Sequence, residues 1–184
     1  MILEARRVRL RPFMVEDLDW FYALMLDPIV NRRFRWGGST PHPEEVANAA
    51  WDGLCQFVIE RRRSDEPIGI ATLFAADFRH GFASAAVLVT PHARGWAEGL
   101  EGFALLVDYA FHTWPLRKVY SEVLEESYAQ FHSGAGRFFV VEGCKRAHQF
   151  AAGRYQDLYT LAIHRDMWLR SDPLLVARGV RPRA

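Results

Sequence analysis

Apolar and basic residues alternate through Val8-Arg9-Leu10-Arg11 and stop at Pro12, a period of two that predicts the first strand. Over residues 16–26 the period lengthens. Leu18, Phe21, Tyr22 and Met25 fall at i, i+3, i+4 and i+7, which puts them on one buried helical face. Asp27-Pro28 ends that helix, because a residue before proline is pushed out of the α region. Residues 31–43 carry Arg32, Arg33, Phe34, Arg35, Trp36, Gly37 and Gly38 with no regular period, and read as a substrate-facing loop. Pro43-Glu44-Glu45 opens a second helix, since proline needs no N–H partner there and acids suit the positive end of the dipole.

Two apolar runs, 56–60 and 68–75, flank the polar segment 61–67 and predict two strands joined by a turn, with Arg61, Arg62 and Arg63 solvated in it. A third extended run, 82–89, is rich in small residues that leave its backbone open to a neighbour or ligand. From Glu98 the chain turns helical: Leu100, Phe103, Ala104, Val107, Ala110 and Phe111 make one apolar stripe, and Trp114-Pro115 stops it. Residues 118–124 alternate as a strand, and a short helix over 127–131 precedes Gly134 and Gly136. Segments 144–150 and 157–163 close the pattern as a hairpin about 151–154. Hairpins combined with a strand-helix-strand unit mean a mixed α/β fold.

Composition narrows the class. A chain of 184 residues with 50% hydrophobic and 14% aromatic positions builds a substantial core, and one domain over 1–170 with a basic tail, 171–184, is the natural division. A net charge of +1 gives no global attraction to nucleic acid or an acidic membrane. Cys55 and Cys144 are too few and too far apart for a disulfide framework or a metal site, and read as free thiols in a reducing compartment. With no apolar run of about 18 residues and no apolar signal core at the start, the expected location is the cytoplasm.

The densest chemistry lies at 87–102, where a strand runs through small residues into a helix. In Arg94-Gly95-Trp96-Ala97-Glu98-Gly99 a cation is followed by small residues at the second, fourth and sixth places, so peptide N–H groups meet an anion with no bulky side chain between. The following helix adds its unpaired first-turn N–H groups and dipole. Triphosphate and dinucleotide loops are excluded on spacing, because neither Gly-x4-Gly-Lys-Ser/Thr nor a Gly-x-Gly-x-x-Gly after an N-terminal strand occurs.

Taken in order, Val8-Arg-Leu-Arg-Pro, Asp17-Leu, Asp27-Pro28, Pro67-Ile-Gly-Ile, Asp77-Phe-Arg-His, the 91–99 turn, Leu106-Val-Asp-Tyr-Ala-Phe, Leu116-Arg-Lys-Val-Tyr and Gly153-Arg-Tyr-Gln-Asp resemble the GNAT superfamily of N-acyltransferases. Within it the chain is similar to the ribosomal-protein-alanine acetyltransferase branch. The resemblance implies an α+β fold with a mixed, mostly antiparallel central sheet flanked by helices. It also implies acetyl-CoA, or another acyl-CoA, as co-substrate, bound by Leu88, Val89, Arg94, Gly95, Trp96, Ala97, Glu98 and Gly99. In the family's Gln/Arg-x-x-Gly-x-Gly/Ala motif, Ala97 then stands in place of the first glycine, between Arg94 and Gly99. The strand over 85–89 is expected to splay from that over 118–124 and so admit pantetheine. The tyrosine that protonates the thiolate in many relatives falls at Gly134.

Amide formation from a thioester needs a neutral amine and a route for protons. The candidate bases are His80, His132 and Glu126, and the candidate acids are Tyr128 and Ser133. The expected acceptor is a primary amine of a small molecule or a peptide N-terminus, with Phe34, Trp36 and Trp51 offering an apolar pocket and Arg32, Arg33 and Arg35 suiting a carboxylate. Paired subunits are common in the family, which makes a homodimer an expectation. The alternative is a catalytically impaired CoA-binding sensor or scaffold, motivated by Gly134 and Ala97.

Overall fold

A computed structural model of the chain describes residues 2–32, 36–93 and 97–171. Eight strands form one sheet in the order β1-β2-β3-β4-β5-β6-β8-β7: β1 Leu3–Glu4, β2 Val8–Pro12, β3 Cys55–Arg61, β4 Pro67–Asp77, β5 Phe82–Val89, β6 Lys118–Leu124, β7 Val140–Ala151 and β8 Arg154–His164. Every neighbouring pair is antiparallel except β5 and β6. The expected mixed, mostly antiparallel sheet is therefore present, with β1 added ahead of the strand expected first.

Helices cover both faces. The first expected helix begins as a 3-10 turn, Val15–Asp17, and continues as α1 Leu18–Leu26, burying Phe21, Leu24 and Met25. Asp27 ends it in an extended conformation, and its Oδ1 accepts from Ile29 N at 2.9 Å and Val30 N at 3.1 Å. It thereby caps α2 Pro28–Asn31 at once, a helical turn that takes in Asn31, the first residue of the expected loop. Helix α3 Pro43–Ala49 starts at the expected proline. Together these helices bury Phe13, Phe21, Met25, Val30 and Val46 against Val58 and Ile70.

The opposite face carries α4 Ala97–Thr113, which packs Leu105, Leu106, Val107 and Phe111 on Val8, Leu10, Phe57, Ile59, Ala83 and Ala85. Here the sequence stripe needs correction. Leu100 is 46% exposed, while Glu101, Gly102, Leu105 and Leu106 are buried. Ala104, Val107, Ala110 and Phe111 of the stripe are buried as expected, and Glu101 is buried because it reaches the residue before β2: its Oε2 accepts from Arg7 N at 2.7 Å and its Oε1 from Arg7 Nη1 at 3.0 Å. Helix α5 Glu125–Phe131 starts two residues before its expected beginning, and α6 Arg165–Ser171 follows β8.

Candidate functional site

β5 and β6 run side by side for only three register pairs, Phe82↔Lys118, Ala83↔Val119 and Ser84↔Tyr120. Beyond them the two strands are no longer partners. The outer edge of β5 stays paired to β4 as far as Gly69↔Val89, and that of β6 stays paired to β8 as far as Leu124↔Leu158. The gap is thus a fork between two strands each secured from outside. Its origin is local. The β4–β5 register shifts between Phe74 and Asp77, where Ala75 has φ +48°, and a bulge of this kind bends and twists the strand. The extra residue lies on β4 between the pairs Phe74↔Ser84 and Asp77↔Phe82, level with the last β5–β6 pairs. From Ala85 and Ser121 onward the inner backbone edges are available to a ligand with amides of its own, as the resemblance requires.

The open end of the fork leads to the small-residue turn. Leu88 packs toward α1 while Val87 and Val89 pack toward α4, so the backbone of β5 lines the gap. Thr90 N donates to Ile68 O at 2.8 Å and a 3-10 turn, Pro91–Ala93, follows. Arg94, Gly95 and Trp96 lie outside the described residues, as do Arg33, Phe34, Arg35 and the tail beyond 171. Ala97 begins the described part of α4. Gly99 stands within that helix, and a Cβ there would come 3.5 Å from Val89 Cγ1. It brings helix against strand and stands within the helix, past the turn. The Glu98 carboxylate takes Arg61 Nε at 2.9 Å and Nη2 at 3.2 Å, and Arg61 Nη1 reaches Glu66 at 2.7 Å. Glu66 also meets His92 Nε2 at 3.1 Å, and those Arg61 and His92 contacts hold its carboxyl below the usual range although desolvation opposes them. Arg61, expected in a solvated turn, is instead tied to the first turn of α4.

Among the candidate catalytic residues, Tyr128 lies best. It stacks on Tyr159 with ring centroids 4.3 Å apart and 17° between planes, and Tyr159 pairs with Val123 in the open arm of β6. Its hydroxyl has no hydrogen bond among the described residues. His132 is a ring neighbour at 6.3 Å, exposed, with Nδ1 2.9 Å from Ala129 O. Glu126 is half-buried on the same helix, and Ser133 is exposed in the next turn. His80 is not brought to this group. It sits in the turn before β5, its Nδ1 2.7 Å from Asp77 Oδ2 and its N–H donating to Asp77 Oδ1 at 2.9 Å. Asp77 is held below its usual range first by that side-chain contact. Because β5 and β6 are parallel, His80 is at the closed end, six strand residues or roughly 20 Å from where α5 starts. The tyrosine position of relatives is filled differently. A Cβ on Gly134 would stand 3.2 Å from Phe139 Cε1 and 3.3 Å from Phe138 Cδ2.

A polar cluster on the other face of the sheet escaped the sequence reading. Lys118 Nζ lies 3.1 Å from both oxygens of Glu142, whose Oε2 also accepts from Tyr120 Oη at 3.0 Å, and His164 approaches at 3.5 Å. Buried Ala162 between the strands leaves room for Glu142 to reach across. Burial would raise the Glu142 carboxyl, but Lys118 and Tyr120 outweigh it and hold it low. The alternation Lys118-Val-Tyr120-Ser-Glu122 was the available signal, and only the register with β8 and β7 gave it a partner. No group of three His, Cys, Asp or Glu suited to a metal occurs among the described residues.

Residues 7–132 match the acetyltransferase (GNAT) domain. The fold is similar to that of a spermidine N-acetyltransferase from Vibrio cholerae in complex with CoA and spermine, with 25% identity, TM-score 0.71, and 89% of this chain and 98% of that one covered. A GCN5-related N-acetyltransferase from Brucella melitensis shares the fold at 21% identity and TM-score 0.72, covering 99% of this chain and 86% of that one. No curated protein sequence matches significantly. These neighbours do not single out the ribosomal-protein-alanine branch. With its domain match over residues 7–132 and its forked sheet, the chain belongs to the GNAT acetyltransferase family, as an N-acetyltransferase whose co-substrate is acetyl-CoA.

Proposed function

We propose that the fork between β5 and β6 holds acetyl-CoA from the α4 face and that the acceptor, a primary amine of a small molecule or a peptide N-terminus, enters from the opposite face. The observation that carries this reading is the loss of β5–β6 pairing after Ser84↔Tyr120 while both outer edges stay paired. In it the inner edge of residues 85–89 pairs with pantetheine, and the turn 90–97 with the start of α4 takes the pyrophosphate. Gly99 lies within the helix, so we read the phosphate motif two places earlier, with His92, Gly95 and Ala97 at its defining positions. Arg94 remains a phosphate cation in this reading.

The bound co-substrate supplies an activated acetyl carbonyl and a thiolate leaving group. The protein's share is orientation, worth up to about 7–11 kcal/mol of barrier, and proton handling. Tyr128 is the residue we assign to protonate the thiolate, since it stands over the open arm of β6 and Gly134 leaves the usual tyrosine absent. Replacing Tyr128 by Phe should lower kcat by about 10²-fold with acetyl-CoA affinity unchanged; an unaltered kcat removes Tyr128 from this role.

For the acceptor, the polyamine named for the Vibrio neighbour has weak support here. On the face opposite α4, Glu122 and Glu142 are each already held by a lysine, Lys145 at 2.8 Å and Lys118 at 3.1 Å. Arg32, Arg33 and Arg35 belong to the segment expected from sequence to face substrate, which favours an amine bearing a carboxylate or no second charge. Thiol release from acetyl-CoA with spermidine, small amino compounds and peptides of varied N-terminus tests this. Turnover with a singly charged amine or peptide above that with spermidine supports it, and exclusive use of spermidine overturns it.

A further inference from the structure

The ends of three strands converge beside the first turn of α4. Glu60 pairs with Pro67, Gly69 pairs with Val89, and Arg61 leaves β3 at this same end. There Glu98 places a carboxylate in the first turn of a 17-residue helix. Alone, that carboxylate suits the dipole, but it occupies the positive end that an incoming pyrophosphate would use and repels it. The structure places one cation on it: the Arg61 guanidinium meets both Glu98 oxygens in a fork, with side chains only 29% and 18% exposed. The third Arg61 contact goes to Glu66, which reaches His92, and Thr90 Oγ1 lies 3.3 Å from that ring. The Glu98 and Glu66 contacts raise the Arg61 pKa further above its ordinary value, so its charge is permanent.

We infer that Arg61 is a positioning residue for co-substrate binding: by neutralising Glu98 it lets the first turn of α4 accept the CoA phosphates. The inference rests on the proposed placement of pyrophosphate at this turn. Removing Arg61 exposes the phosphates to an uncompensated carboxylate. Removing Glu98 as well takes that repulsion away, although it deletes more of the ion-pair network. A mere structural clamp predicts the reverse order.

The test is calorimetric titration of acetyl-CoA into the full chain and into Arg61→Ala, Glu98→Gln, the double variant and Arg94→Ala, with thermal unfolding to confirm that each is folded. The expected results are a Kd about tenfold weaker for Arg61→Ala, a Glu98→Gln affinity equal to or tighter than the parent's, and a double variant returned to within about threefold of the parent. The Arg61→Ala defect should also shrink as salt rises. A double variant as weak as Arg61→Ala overturns the inference and makes Arg61 a clamp or a direct phosphate ligand. If Arg94→Ala and Arg61→Ala both leave Kd unchanged, the placement of pyrophosphate fails instead.

Discussion

Arg11 shows how single residues secure the strand order on which the fork depends. Its Nη1 and Nη2 each reach an Asp17 oxygen at 2.6 Å, its Nε meets Glu60, and Arg9 joins Glu60 from the next alternate position at 2.8 Å. The alternation read as a strand signal thus puts two cations on one buried carboxylate, locking β2 onto β3. Burial alone would raise the Asp17 carboxyl, but Arg11 and the Met14 N–H outweigh it and hold it below the ordinary range. A lowered folded pKa contributes stability above the unfolded value, about 3.9, and that stability is lost as pH falls through the folded value. Asp17→Asn should therefore cost about 1–3 kcal/mol at pH 7, with a smaller gap to the parent at an acidic pH below the unfolded value of about 3.9. Urea unfolding at the two pH values checks it, and an equal gap at both contradicts it. Cys55 is a free thiol, as expected, and burial, opposed by the Leu73 backbone, pushes it up to about 11.

At the scale of elements, the β4–β5 pair must deliver its chain end accurately to the turn before α4. Gly69 is what permits it, since a Cβ there would lie 2.2 Å from Leu88 O and 3.0 Å from Val89 Cα. Gly69→Ala should force β4 from β5, costing about 1–3 kcal/mol and weakening acetyl-CoA binding; denaturant midpoint and calorimetry read the two effects. The small-residue run 82–89 was legible as an open backbone because composition alone signals it. The bulge at Ala75 was invisible, for an alanine at φ +48° carries no glycine mark. Leu100 was misassigned to the buried stripe for a related reason. A helix stripe fixes which residues share a face, while tertiary partners such as Arg7 decide which residues at its margins are buried. Arg61 read as solvated because its carboxylates, Glu66 and Glu98, are brought together only by three strands and a helix. Tyr128 could be nominated from its position after β6, but its stacking on Tyr159 required the β6–β8 register.

Across the whole molecule, helices α1 to α3 cover one face of the sheet and α4 and α5 the other, leaving the fork as the passage between them. In the proposed reading that division separates co-substrate from acceptor, with the thioester carbonyl meeting the amine within the open part of the fork, under Tyr128. Among the described residues no helix is long and apolar enough to cross a membrane. The central claim is that acetyl-CoA lies between β5 and β6, and amide hydrogen exchange with and without acetyl-CoA tests it most directly. Binding should slow exchange in residues 85–89, at the amides facing the gap, by about tenfold or more, while β3, paired on both sides, changes little. Slowed exchange confined to other segments, with 85–89 unaltered at saturating acetyl-CoA, would contradict it.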